Sequence, residues 1–348
     1  MTKRAAETDD RRFVRRVLIV LALTALVILT WHLRHLVLML FGAVVVATIF
    51  RALADRIAKL AGCRQGIAMA ASIAVILGAV VALAALFGAN LVGRMDVLAT
   101  RLPAAWTSFE ARIGDMGLGE QLRQMVESAG KGGSFATFSR TVLSIGNSIA
   151  EALVVIFAGI FLAMQPRFYR TGAIKLVPPG QRTLVAEAMD ESERALHLWL
   201  TGQLIAMVVV GLLTGFGLWL LGVPSAFALG LLAGLLEFVP FAGPLIAALP
   251  AVLLALAVSP DLAIWVALLY FAVQQFEGYL LTPLVQQYAV DLPGVVMLFS
   301  LLAFGAIFGV LGVILAAPLS VVTYVLIKRL YVIEALHTAT PIPGEDKK

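Results

Sequence analysis

Apolar runs separated by short polar connections fill most of the chain, and the way they are interrupted predicts the architecture. Residues 1–16 are polar and carry Lys3, Arg4, Arg11, Arg12, Arg15 and Arg16 ahead of an apolar run from Val17 to Trp31. No small-x-small cleavage pattern follows, so this is an uncleaved first span with a cytoplasmic N-terminus. A second run, Leu36 to Phe50, returns after the short connection Trp31-His32-Leu33-Arg34-His35, which predicts a membrane hairpin. Arg51, Arg56, Lys59 and Arg64 follow it, and a third span begins near Gly66, so residues 17–92 hold three N-terminal spans.

Residues 93–140 mix charges of both signs with Leu98, Leu102, Trp106, Phe109, Ile113 and Leu122 at helical spacing, which predicts an extracytoplasmic amphipathic insert. Gly130-Lys131-Gly132-Gly133-Ser134 within it is a flexible connector. A fourth span (141–165) ends at Gln165-Pro166-Arg167. In the cytoplasmic stretch 166–198, Leu184, Val185, Ala188, Met189, Leu196 and Trp199 take one helical face. Glu187, Asp190, Glu191 and Arg194 take the other, as a solvated charge run. A fifth span from about Trp199 carries Gly211, Gly215 and Gly217, which permit close helix contact.

Residues 199–327 are the informative part. Two apolar segments, Gly222–Leu256 and Leu292–Leu326, are each too long for one span and each broken near the middle, the first at Val239–Pro244 and the second at Gly305–Gly312. Pro224 and Pro293 open them, and Pro250 and Pro318 sit late in them. Their arms, roughly 24 Å of helix, fall short of a ~30 Å hydrocarbon core, which favours re-entrant hairpins over paired full spans. Span plus hairpin then occurs twice with opposite entry, an inverted repeat. Lys328 and Arg329 open a cytoplasmic tail, 328–348. The fold class is therefore all-α integral membrane: a polytopic helical bundle with two broken helical hairpins in a C-terminal inverted repeat.

Composition agrees. With 61% hydrophobic residues, 14% charged and a mean hydropathy of +0.97, the bilayer is the solvent. The net charge of +5 gathers beside spans, so it reports topology rather than nucleic-acid binding. Cys63, the single cysteine, excludes an intrachain disulfide and a cysteine-cluster metal site. The four histidines are scattered at membrane edges and no phosphate-cradling loop occurs. An enzyme, a cofactor or a metal centre is not expected.

Candidate chemistry lies at the breaks, where unwound backbone at membrane depth must be buried or line a polar cavity. The candidates there are Pro240, Gly243 and Pro244 in the first tip and Gly305, Gly309 and Gly312 in the second. Glu237 stands beside the first break; Gln274, Glu277, Thr282 and Pro283 lie on the span between the segments, and Gln203 lies on the fifth span. Gln203, Gln274 and Glu277 face one cavity if the repeat halves pack together. A carboxylate near unwound backbone can bind a cation or carry a proton. The alternatives are an interface-reaching Glu237 and a snorkelling Glu277.

Three ordered motifs then carry a resemblance. Phe238-Val239-Pro240-Phe241-Ala242-Gly243-Pro244, Gln275-Phe276-Glu277-Gly278-Tyr279-Leu280-Leu281-Thr282-Pro283, and Phe308-Gly309-Val310-Leu311-Gly312 with Ala317-Pro318 are similar to signature segments of the autoinducer-2 exporter family. Where that family often has His-Pro before the last hairpin, this chain has Leu292-Pro293, so no role of that histidine transfers. The resemblance implies a homo-oligomeric bacterial inner-membrane transporter. It also implies export of a small signalling molecule or sodium/proton antiport. The functional readings are a permease exporting a small polar solute by alternating access, an antiporter of a monovalent cation against protons, and a non-transporting membrane scaffold.

Overall fold

The computed structural model describes residues 2–87, 150–256, 258–281, 283, 293–338 and 340. The extracytoplasmic insert, its glycine connector and Thr282 lie outside the described residues. Every described element is a helix or turn.

The first helix, α1 (Thr2–Ala61), differs from expectation, because it runs through Trp31–His35 without a turn. That stretch contains neither glycine nor proline, and its residues all tolerate helical dihedrals, so nothing in it breaks the backbone hydrogen-bond ladder. The membrane hairpin predicted there is not formed. α2 (Gln65–Phe87) folds back on the end of α1, and the buried Ser72 hydroxyl donates to the Phe50 carbonyl at 2.8 Å. α3 (Ala150–Met164) and α4 (Pro166–Lys175) meet at a 91° bend, placed where the sequence puts the end of the fourth span.

α5 (Arg182–Leu220) is the axis of the rest, 39 residues merging the amphipathic stretch and the fifth span. Of the face expected from the periodicity, Ala188, Leu196 and Trp199 are buried and Leu184, Val185 and Met189 half-buried, and Ala195 and Leu200 are buried beside them. α6 (Ala226–Leu236) crosses it backbone to backbone. A Cβ on Gly230 would overlap the main chain of Gly215, and one on Gly234 would approach the Met207 carbonyl to 2.5 Å. Gly211 and Gly215 thus supply the close contact their spacing suggests, while Gly217 receives the Leu269 side chain.

α7 (Ala242–Leu256) follows a break at Glu237–Phe241, somewhat earlier than predicted, because Ala242-Gly243-Pro244 form its first turn, where proline is tolerated. α8 (Pro260–Phe276) begins at Ser259, whose side chain accepts from the Leu262 amide at 3.2 Å, and passes into a π-helical turn, Glu277–Leu281. α9 (Gly294–Phe308) and α10 (Val310–Leu326) are separated by Gly309 alone. Its φ of 68° and ψ of −145° suit only glycine.

Among the described residues, His32–Ala61, Pro179–Leu220, Pro260–Leu281 and Val310–Ile333 are each long and apolar enough to cross a membrane, making four, or five if the bent α3–α4 pair is one span. α6, α7 and α9 are too short to cross alone, at roughly 16 to 22 Å. α10 with its π-helical extension, Ile327–Ile333, is not, so the arms of the second broken segment are unequal where the sequence predicts two short ones.

Candidate functional site

Among the described residues, the most deeply buried carboxylate is built by the first break. Glu237 caps the C-terminus of α6 and is 1% exposed. Its Oε2 is buried with no hydrogen-bond partner among the described residues. It is enclosed by protein rather than extended to an interface. The side chain of Glu277, at the start of the π-helical turn, lies within its electrostatic and hydrogen-bonding reach.

Two amides complete the group. Gln203 on α5 donates from Nε2 to the main-chain carbonyl of Glu237 at 2.6 Å, and Gln274 donates from Nε2 to Glu277 Oε2 at 2.5 Å. The first bond occupies a carbonyl at the end of α6 that the helix itself leaves unpaired. One turn before Gln203, Trp199 meets Phe238 edge-on, with ring centroids 6.0 Å apart. A single stripe of α5 therefore holds both Glu237 and its neighbour. Four sequence candidates from three helices, Gln203, Glu237, Gln274 and Glu277, come together.

The remaining candidates are placed less centrally. Pro240 lies in the first break, whereas Gly243 and Pro244 are helical, with Gly243 buried against the Leu236 carbonyl. Gly305 and Gly312 are likewise helical and pack α9 on α10, Gly305 against Val313 and Gly312 against Phe304. Only Gly309 is a true interruption, and it is exposed. Pro283 is exposed too. The two breaks nevertheless share a core, since Phe238 and Phe308 both pack on the cluster of Leu196, Trp199 and Leu200.

The acidic face of α5 is largely exposed, and several of its carboxylates are ion-paired there. Arg170 on α4 grips Asp190 at 2.6 Å through both carboxylate oxygens. Arg51 on α1 reaches Glu193 at 3.4 Å, and Arg329 in the π-helical extension pairs with Glu187 and lies 3.7 Å from Glu191. Cations from three elements converge on two turns of one helix. Helical periodicity flags the acids but cannot name distant partners. Sequence reasoning also passes over Thr214 and Tyr270, whose buried hydroxyls have no partner among the described residues.

Among the described residues no group of three His, Cys, Asp or Glu side chains could hold a metal. A groove of about 1110 Å³ between α5 and α6, flanked by Leu212, Phe216, Trp219 and Phe227, has no charged lining. Neither Glu237 nor Glu277 lines it, and it presents an apolar surface of the kind lipid covers.

Three curated proteins are similar to parts of this chain. The chain is 31% identical over 151 residues to "Putative transport protein YrrI" of Bacillus subtilis, covering 43% of each. It is 28% identical over 195 residues to a "Putative transport protein" of Thermotoga maritima, covering 53% of this chain and 59% of that protein. It is 26% identical over 175 residues to "Putative permease PerM" of Escherichia coli K12, covering 50% of each. The chain thus spans about half the length of these curated relatives. The model of the AI-2E family transporters matches residues 17–331, and by that match this multi-pass membrane protein belongs to the AI-2E transporter family.

Proposed function

We propose that the chain is a permease-type secondary transporter that moves a small polar solute out of a bacterial cell. Its recognition site comprises the carboxylates of Glu237 and Glu277 and the amides of Gln203 and Gln274. The observation that carries this reading is Glu237 itself, fully buried, with an oxygen unpartnered, at a break in a membrane helix. Burying a carboxylate is costly unless something pairs with it, and polar groups at membrane depth mark solute and ion paths. One arm of each broken segment, α6 and α10, packs against α5, so movement of these segments against that helix would expose the carboxylates to each side in turn.

The convergence of Arg51, Arg170 and Arg329 on the start of α5 supports a cytoplasmic location for that end, since basic residues gather inside. The resemblance of the motifs adds a homo-oligomer in the inner membrane.

Cation/proton antiport is the second reading, and one observation favours it. The Glu277 carboxylate accepts from the neutral amide of Gln274, and Glu237 Oε2 has no partner among the described residues, so no cation among the hydrogen bonds and ion pairs described above neutralises the two acids.

Glu237→Gln and Glu277→Gln, purified and placed in liposomes, separate the readings. Autoinducer-2 efflux and sodium-driven proton flux are measured side by side. Loss of efflux in both variants supports the permease. Loss of proton flux alone supports antiport. Wild-type protein moving neither would sink both and leave a scaffold.

A further inference from the structure

We infer that the seam between α5 and α8 holds a second polar station, formed by the hydroxyls of Thr214 and Tyr270. It takes an uncharged hydrogen-bonding group, a water or a hydroxyl of the solute. This extends the carboxylate site and rests on that reading.

The register places the two residues at one level. Val210, Thr214 and Leu218 share a stripe of α5, and Val266, Tyr270 and Val273 share a stripe of α8. Val210 and Val273 belong to one buried cluster, Leu218 and Val266 to another, and Leu269 packs against both. The helices therefore run antiparallel, with Thr214 and Tyr270 bracketed between two apolar contacts.

Neither hydroxyl is used locally. Thr214 is wholly buried, yet its Oγ1 has no partner among the described residues, and the Tyr270 hydroxyl is in the same position. Buried Ser and Thr on helices ordinarily bond the carbonyl four residues back. On this same helix Ser192 does so to Ala188 at 2.7 Å and Thr201 to His197 at 2.8 Å. Thr214 does not, so its hydroxyl is left to an outside partner. Valine and phenylalanine would fill both positions with no polar atom to satisfy, so packing alone does not account for the hydroxyls.

The station lies in line with the carboxylates. Tyr270, Gln274 and Glu277 stand at i, i+4 and i+7 on α8, so roughly 10 Å of helix separates the hydroxyls from the pair. A group leaving Glu277 along this stripe meets Tyr270 next.

The test uses the full chain in liposomes, in a Cys63→Ser background, with Thr214→Cys, Leu218→Cys or Gln203→Cys and hydroxyethyl methanethiosulfonate as a small uncharged reagent. Thr214→Cys is expected to label about tenfold faster than Leu218→Cys, one turn deeper in the apolar cluster. Slowing by glycerol identifies a solute hydroxyl as the occupant; no slowing identifies water. Adding Tyr270→Phe should leave thermal stability intact while slowing labelling at position 214, whereas a purely structural phenol would leave labelling unchanged. If Gln203→Cys reacts while Thr214→Cys is as inert as Leu218→Cys, the station is overturned and the carboxylate path stands. If Gln203→Cys is inert too, both fail. Equal labelling at positions 214 and 218 reports general breathing and also overturns the station.

Discussion

Gln203 donates its 2.6 Å hydrogen bond to the main chain of Glu237, not to its carboxylate, so the amide fixes where the acid stands without occupying it. Gln203→Leu keeps the volume and removes the donor. The unpaired carbonyl should cost about 1 to 3 kcal/mol, and transport should fall further than stability because Glu237 is no longer held opposite Glu277. Thermal unfolding and liposome flux, measured on one preparation, check this. Equal losses in the two would make Gln203 a packing residue only.

Arg170 and Asp190 are half-exposed, at 39% and 52%, so their pair contributes at most about 1 kcal/mol and is screened by salt. Arg170→Asp should lower the melting temperature, and adding Asp190→Arg should restore much of it. The difference between single and double variants should shrink in high salt. A double variant no better than the single would mean that this contact does not form in the membrane.

The α5–α6 crossing gives the sharpest packing test. Gly230→Ala pushes a methyl group into the backbone of Gly215 and should destabilise by about 1 to 3 kcal/mol or prevent assembly. Gly172→Ala on α4 meets open space and should be neutral or stabilising by about 0.5 to 1 kcal/mol, since alanine is the better helix former. Expression level and melting temperature in detergent report both.

Gly309→Ala should cost roughly 1 to 3 kcal/mol from backbone strain alone. A charge at Gly309, or at the crowded Gly243, would therefore damage the protein whether or not solute passes there. Single cysteines at Ala242 and Val310 are the cleaner probes of the breaks. Reactivity of both with polar thiol reagents is the expected result; inertness of both would mark packed kinks.

The sequence made the breaks and the individual polar residues beside them stand out for a simple reason. Within long apolar runs, a Pro-Phe-Ala-Gly-Pro turn or a buried glutamate stands out against its background. Gly211 and Gly215 were legible because small residues four apart form a groove on any helix. The ion pairs of Glu187, Asp190 and Glu193 were not, because their partners lie on elements remote in sequence. α1 misled for the opposite reason. Charge placement suggested a turn at Trp31–His35, but no residue there has the backbone preference to make one. Thr214 and Tyr270 gave no signal, since single hydroxyls are ordinary in apolar helices until their partners are counted.

α5 carries the arginine-gripped acids near one end, Gln203 in the middle and the glycine crossing near the other, without interruption. Each residue added to an α-helix turns everything beyond it by about 100°. One amino acid inserted between Glu193 and Gln203 would swing the amide away from Glu237 and the glycines away from α6, while the arginines still held the start of the helix in place. Spacing along this helix is thus under a phase constraint, and deletions or insertions there should be far less tolerated than substitutions.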